Sequence, residues 1–342
     1  MADESSPANR MSERAGESAI RLRALMHLNR WVIVGALAAA VFVVLVVLGT
    51  LDASPLRASM RQTDPADTAF QALTTSIITG VTLVVTINQV VLSQELGPLG
   101  DQRNRMQGAM DFRGDVGDVI GAAPPPEPAS FLQALVEATK SRAEAFERQV
   151  SAGSGEAHGR VARYVDDLVE NADAVSDRLE GAEFGTFDVI DAALDYNYSW
   201  KIYDLNRIRR THGDEFDRAT GEAAEDLLDV LTLFGPAREH VKTLYFQWEL
   251  VNLSRAIIYA AVPALAVTLS SLLYLDATSF PGATLGVDNI VLVVSGATTV
   301  ALFPFLVLVS FVLRIATTAK RTLAIGSFIL RETDRSETTD VD

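Results

Sequence analysis

Four stretches of this chain carry no Asp, Glu, Lys or Arg, and each is long enough to cross a bilayer: Trp31 to Leu51, Ala69 to Gln94, Ala256 to Leu275 and Asn289 to Leu313. A hydrocarbon core of about 30 Å takes roughly 20 helical residues, and a helix satisfies its backbone polar groups without water. The pattern predicts an all-α integral membrane protein with four transmembrane helices and a helical cytoplasmic domain inserted between helices two and three. The predicted spans are 31–51, 69–94, 256–275 and 289–313. Between and around them lie an N-terminal segment 1–30, outer loops 52–68 and 276–288, a soluble domain 95–255 and a tail 314–342. The first span is read as a retained anchor, because about thirty mostly polar residues precede it and it is too long for a signal-peptide core.

Basic residues set the expected direction. Arg21, Arg23 and Arg30 precede the first span, and Arg103, Arg105 and Arg113 follow the second. Arg238, Lys242 and Arg255 precede the third, and Arg314, Lys320 and Arg321 follow the fourth. Loop 52–68 holds only Arg57 and Arg61 among three Asp, and loop 276–288 holds no basic residue. The positive-inside rule therefore puts both termini and the central domain in the cytoplasm, with the plasma membrane as the location.

The formal net charge of −15 coexists with a mean hydropathy of +0.19, which requires acid and oil to be segregated along the chain. Lys stands only at 140, 201, 242 and 320, so Arg supplies the other 25 of the 29 basic residues. Carboxylate-rich surfaces stay hydrated where salt screens charge over a few Å, so the composition reads as that of a halophilic archaeon, the alternative being a GC-rich bacterial genome with an acidic domain. The acidic balance argues against nucleic acid as a partner, since phosphate backbones call for a basic face. With no cysteine, disulfides and thiol chemistry are excluded.

Within the soluble part, Leu96 to Asp101 forms one Gly- and Pro-marked break and Ala122 to Pro128 a second. Gln102 to Phe112 is the short juxtamembrane helix predicted between them. Apolar residues at three-and-four spacing predict helices from Ala129 to about Gly153, from Arg160 to Leu179, and then shorter ones over 184–195 and 196–211. Asp214 is a candidate cap for a helix reaching about Phe234, and Pro236 starts one running without a breaker into the third span. The C-terminal stretch with Leu323, Ile325, Phe328 and Ile329 beside basic residues is expected to lie along the inner membrane surface.

The candidate functional feature is a polar stripe on the second span: Thr75, Thr79, Thr82, Thr86, Gln89 and Ser93. Their spacings of four, three, four, three and four place all six on one helical face. Such hydroxyls either bond back to their own helix and pack against a neighbour, or line a water-filled path enclosed by several copies of the chain. Glu95, Arg103 and Arg105 are the candidate charges at the mouth of such a path, and their mixed signs leave the permeant ion open. No predicted span contains an ionisable side chain, which favours a passive path or a scaffold over a coupled carrier.

Signals of catalysis are missing. His27, His158, His212 and His240 fit no local zinc spacing, and Asp111, Asp115 and Asp118 lack the calcium-loop pattern. Neither a phosphate-binding glycine loop nor a nucleophile elbow occurs. The expectation is no enzyme, no catalytic residue, no metal and no cofactor.

The layout of two spans, a helical insertion, a long helix entering the third span and a tail after the fourth resembles that of bestrophin-like membrane proteins. The segment Gly80-Val-Thr-Leu-Val-Val-Thr86 followed by Asn88 and Gln89 is similar to the bestrophin pore helix. No equivalent of the bestrophin aromatic neck or acidic calcium clasp is found. Residues 87–113 also resemble those of uncharacterised haloarchaeal membrane proteins. The resemblance implies a homo-oligomeric ion channel or ion-permeable protein with the second span along the path. The alternative is a membrane-anchored scaffold or sensor whose soluble helices bind a cytoplasmic protein.

Overall fold

A computed structural model describes residues 29–52, 55–62, 65–95, 97–151, 156–183 and 185–321. The N-terminal head through residue 28, with His27, and the C-terminal stretch from residue 322, with its expected surface-lying segment, fall outside the described residues. Side chains at 91, 92, 94, 95, 151, 156 and 318–321 are likewise outside them.

The described chain is almost wholly helical: α1 (Arg30–Leu51), α2 (Leu56–Gln62), α3 (Pro65–Glu95), α4 (Leu99–Ile120), α5 (Pro128–Ser151), α6 (Glu156–Leu179), α7 (Phe187–Asp195), α8 (Tyr198–His212), α9 (Arg218–Tyr274) and α10 (Asn289–Arg321). A two-residue hairpin, β1 (Ala283–Thr284) with β2 (Val287–Asp288), precedes α10. Four helices, α1, α3, α9 and α10, are long and apolar enough to cross a membrane. The chain divides into two compact units, one built on residues 98–246 and the other on 23–97 with 247–316.

In the first unit α5 and α6 form an antiparallel pair, with Gln133 bonded to Ser176 and Lys140 to Asp173. Leu132, Leu135, Val136, Ala143 and Phe146 from α5 are buried, as are Val161, Val165, Leu168, Ala172 and Val175 from α6. Those positions recur every three or four residues, which is why each helix buries one stripe and leaves its charges outside. The short α7 hides Phe187, Val189, Ile190, Ala192, Ala193 and Leu194, and α9 contributes Leu227, Val230, Leu231 and Phe234.

The helix expected to begin at Pro236 is instead continuous with the one before it: α9 runs unbroken through Gly235 and Pro236. Proline removes one backbone donor, but flanking burial of Phe234, Ala237 and Val241 holds the helix together across that gap. A Cβ on Gly235 would stand 3.0 Å from the Tyr198 ring, so only glycine fits this crossing without displacement.

In the second unit the interior is layered. Val34, Val84, Leu253, Ala256, Ile257, Ala260, Val307 and Phe311 pack at one level, and Ile77, Ala261, Ala264 and Ala301 at the next. A further layer holds Met60, Ala66, Phe70, Ile290 and Val291. Ala256, Ala260 and Ala264 repeat at every fourth position of α9, and such small residues let helix backbones approach where packing rather than water drives association. Gly49 of α1 lies against α10, where an added Cβ would meet Val291 Cγ1 at 2.7 Å. Because valine is stiff at χ1, Gly49→Ala is expected to lower the thermal midpoint in detergent by the equivalent of about 1–3 kcal/mol. Gly35→Ala, with no atom within 4 Å of the new Cβ, should cost nothing in the same melt.

Candidate functional site

The stripe residues sit on α3, which is helical from end to end of the stripe. Thr75, Thr79, Thr82 and Thr86 each donate their hydroxyl to the carbonyl four residues back, at 3.1, 2.9, 2.8 and 2.8 Å. Ser93 donates to the Val90 carbonyl at 2.7 Å. These five and Gln89 are all exposed on the single chain. The opposite face is the packed one: Ile77 and Val84 are buried, Val81 is half-buried, and Gly80 lies against Phe305.

This geometry has a chemical consequence. A threonine hydroxyl has one proton and two lone pairs, and here the proton is committed to the helix's own carbonyl. What the stripe turns outward is therefore a file of acceptors. Gln89 alone among the six adds amide donors.

The remaining candidates are placed elsewhere. Glu95 is the last residue of α3, with its side chain outside the described ones. Arg103 and Arg105 lie exposed on α4, in the other unit. Asn88 falls on the packed side of α3, and its Oδ1 is buried without a hydrogen-bond partner among the described residues. Asp111, Asp115 and Asp118 stand exposed along α4, and no group of three or more His, Asp or Glu among the described residues is arranged to hold a metal.

Two ionic sites were invisible in the sequence. At one end of the second unit, Arg30 makes two parallel bonds to Glu249, Nη1 to Oε2 at 2.7 Å and Nη2 to Oε1 at 2.8 Å. The Glu249 side chain is 1% exposed, and the Arg30 guanidinium lies 4.4 Å over the Phe311 ring. This joins α1, α9 and α10 through one desolvated pair with fork geometry. In the sequence Arg30 stands only as one of the positive charges flanking the first span, and nothing local marks Glu249.

At the other end, Arg57 uses all five of its donors. Nε and Nη2 hold Asp288, Nη1 holds the carbonyls of Ala277 and Ser279, and Nη2 also holds that of Phe280. The Arg57 guanidinium keeps the Asp288 carboxyl below the usual carboxylate range, and Asp288 raises Arg57 in turn. The clip fixes a hairpin whose turn residues, Leu285 and Gly286, both have positive φ, at 52° and 82°. A two-residue turn with that backbone matches the twist of the paired strands.

The first unit buries two cations against tyrosine rings, one of them, Arg238, also paired with Glu239 at 3.0 Å. Lys201 is buried with its ammonium 5.2 Å from the Tyr196 ring, and Arg238 is buried 4.8 Å over Tyr198. Tyr164 donates its hydroxyl to the Lys201 carbonyl, and burial pushes the phenols of Tyr164 and Tyr196 well above their ordinary range. Both phenols thus stay protonated. Arg238, counted in the sequence as a charge flanking the third span, is a cation–π element of this core.

The sequence profile of one family of unknown function matches residues 1–342, the whole chain. The chain belongs to that family, DUF7972. No curated protein and no solved structure matches it. The functional reading therefore rests on the geometry above.

The Arg30–Glu249 pair gives an expectation for stability. Glu249→Ala removes the buried partner of the partly exposed Arg30 and should cost about 1.5–3 kcal/mol in thermal unfolding, whereas Arg30→Met with Glu249→Leu together should recover most of that loss. For the outer clip the direction of pH follows from the lowered Asp288 pKa. Its stabilisation is full above the ordinary carboxylate value and is lost as pH falls through the lowered one. Melts on acidification should show this loss in the native chain, and Asp288→Asn should remove that part of the pH dependence.

Proposed function

We propose that this chain is a multi-pass plasma-membrane protein that assembles into a homo-oligomer, with the α3 stripes of several copies lining an ion-permeable path. The observation that carries the reading is the outward file of hydroxyl oxygens on α3, opposite a face that is already packed. In hydrocarbon such a face is poorly matched to lipid, and one helix cannot enclose water, so several copies around an axis give it a solvent.

Aromatic placement supports the membrane setting. Trp31 and Trp248 are half exposed at one end of α1 and of the apolar part of α9, and Tyr274 is exposed at the other end of α9. From Trp248 to Tyr274 a straight helix rises about 39 Å, close to a bilayer measured between its headgroup regions. The distribution of Arg and Lys favours both termini and residues 95–255 on the cytoplasmic side.

The committed hydroxyl protons also favour a sign. A surface of acceptors stabilises cations by replacing hydration oxygens and offers little to anions. This departs from the anion path of the bestrophin-like proteins that the layout resembles.

The protein reconstituted in liposomes is expected to pass Na⁺ or K⁺ faster than Cl⁻. Thr82→Val and Thr86→Val, which keep volume and remove the oxygens, should lower that flux. Equal leakage of empty and loaded liposomes across several salts would overturn the channel reading.

A second reading has one observation in its favour: residues 98–246 build a helical unit with its own core, more than a minimal path requires. In that reading the unit is a scaffold or sensor that binds a cytoplasmic protein. Specific co-purification of one soluble partner with the full chain, together with no ion flux, would select it.

A further inference from the structure

The first half of α4, from Leu99 to Asp111, touches little of its own chain: every residue in that stretch is exposed. Three of them are large and apolar, Leu99 at 83%, Met106 at 67% and Met110 at 62% exposed. Helical spacing of seven and four puts these three on one line, and Arg103 lies on the same side, four residues after Leu99. Asp101, Asp111, Asp115 and Asp118 fall on the other side of the helix together with Arg105, which leaves that side net acidic. The packing contacts of α4 are confined to its second half, where Val116 is buried and Arg113 donates to the carbonyls of Pro124 and Pro125.

A helix with one apolar and basic face and one acidic face has a polarity, and its neighbours in the chain say what the polarity serves. Leu99 begins only four residues after Glu95, the end of α3, a reach of at most about 14 Å of extended chain. If α3 crosses the bilayer, the start of α4 is held at the headgroup level whatever the rest of the molecule does.

We infer that the N-terminal half of α4 lies on the cytoplasmic surface of the membrane, with Leu99, Met106 and Met110 inserted among the acyl chains and Arg103 bonded to anionic headgroup phosphates. The inference rests on the membrane reading above and adds a lipid-binding site to it. Three apolar side chains set the depth, and the acidic face turns to water because an anionic surface repels it. Pro98, the residue before α4, cannot continue α3, so the two helices are separate elements and the second is free to take its own direction. A site of this kind makes the orientation of α4 respond to the anionic-lipid content of the membrane.

The absence of cysteine makes the test clean. Single variants Leu99→Cys, Met106→Cys and Met110→Cys on the apolar line, and Asn104→Cys, Gly108→Cys and Asp111→Cys on the other side, carry a nitroxide label in the full chain. Each is reconstituted in vesicles of phosphatidylglycerol and phosphatidylcholine, and collisions are measured with oxygen, which concentrates in lipid, and with a water-soluble nickel chelate. Val44→Cys, on the exposed face of α1, reports in the same vesicles whether that helix is in the bilayer.

The expected result is a high oxygen-to-nickel ratio at 99, 106 and 110, a low one at 104, 108 and 111, and a high one at 44. Arg103→Gln should shift the docked-to-free ratio roughly fivefold toward free in phosphatidylglycerol vesicles, and should change little in pure phosphatidylcholine. Equal nickel access at all six α4 positions, with 44 still shielded, would overturn the inference and leave the membrane reading standing. Labels at 99, 106 and 110 that are immobile and shielded from both reagents would overturn it in favour of a protein contact. Nickel access at 44 would overturn the membrane reading and this inference with it.

Discussion

A backbone that must satisfy its own hydrogen bonds is the constraint from which the rest follows. Four helices are long and apolar enough to cross a membrane, and in hydrocarbon an open amide would have nowhere to turn, which suits segments that are each one helix from end to end. The continuity of α3 over 65–95, the unbroken passage of α9 through Pro263 and of α10 through Pro304, and the threonines within α3 that fold their hydroxyls onto the preceding turn all fit this constraint. The side chains then inherit a fixed geometry. One face of α3 becomes a packed surface and the other a file of oxygens that stands exposed among the described residues.

Held to helices, the second unit gains its coherence from what happens at its two ends. Layers of Ala, Val and Phe fill the middle without directional bonds, and small residues on α9 permit close approach. Direction comes from two arginines. Arg30 reaches across to a carboxylate 219 residues away, and Arg57 to one 231 residues away, each by a fork of parallel bonds. Their placement at opposite ends of the apolar layers suits charges that the interior would not tolerate, and it fixes which helices are neighbours.

The four long apolar helices were legible in the sequence because freedom from charge over twenty or more residues has few physical meanings, and the shared face of the stripe because its three-and-four spacing admits only one. Helix ends were less so: α4 reaches from 99 to 120 where the breakers pointed to 102–112, since Gly108, Gly114 and Gly117 weaken a helix locally without ending it. The ionic clips were not legible at all, because nothing local distinguishes Arg30 or Arg57 from the flanking charges that set orientation. Nor does anything local mark Lys201 or Arg238, which the structure buries against tyrosine rings. Exposure of the stripe, as opposed to its existence, required the packed face to be seen.

The central claim is that water reaches the stripe. The most direct measurement is the reaction rate of single cysteines along α3 with a membrane-impermeant thiol reagent, in the otherwise cysteine-free chain embedded in native-like membranes. Thr79→Cys, Thr82→Cys and Thr86→Cys should be modified readily, and Ile77→Cys and Val84→Cys on the packed face should not. Thr79, Thr82 and Thr86 variants as inert as those of the packed face would contradict the account.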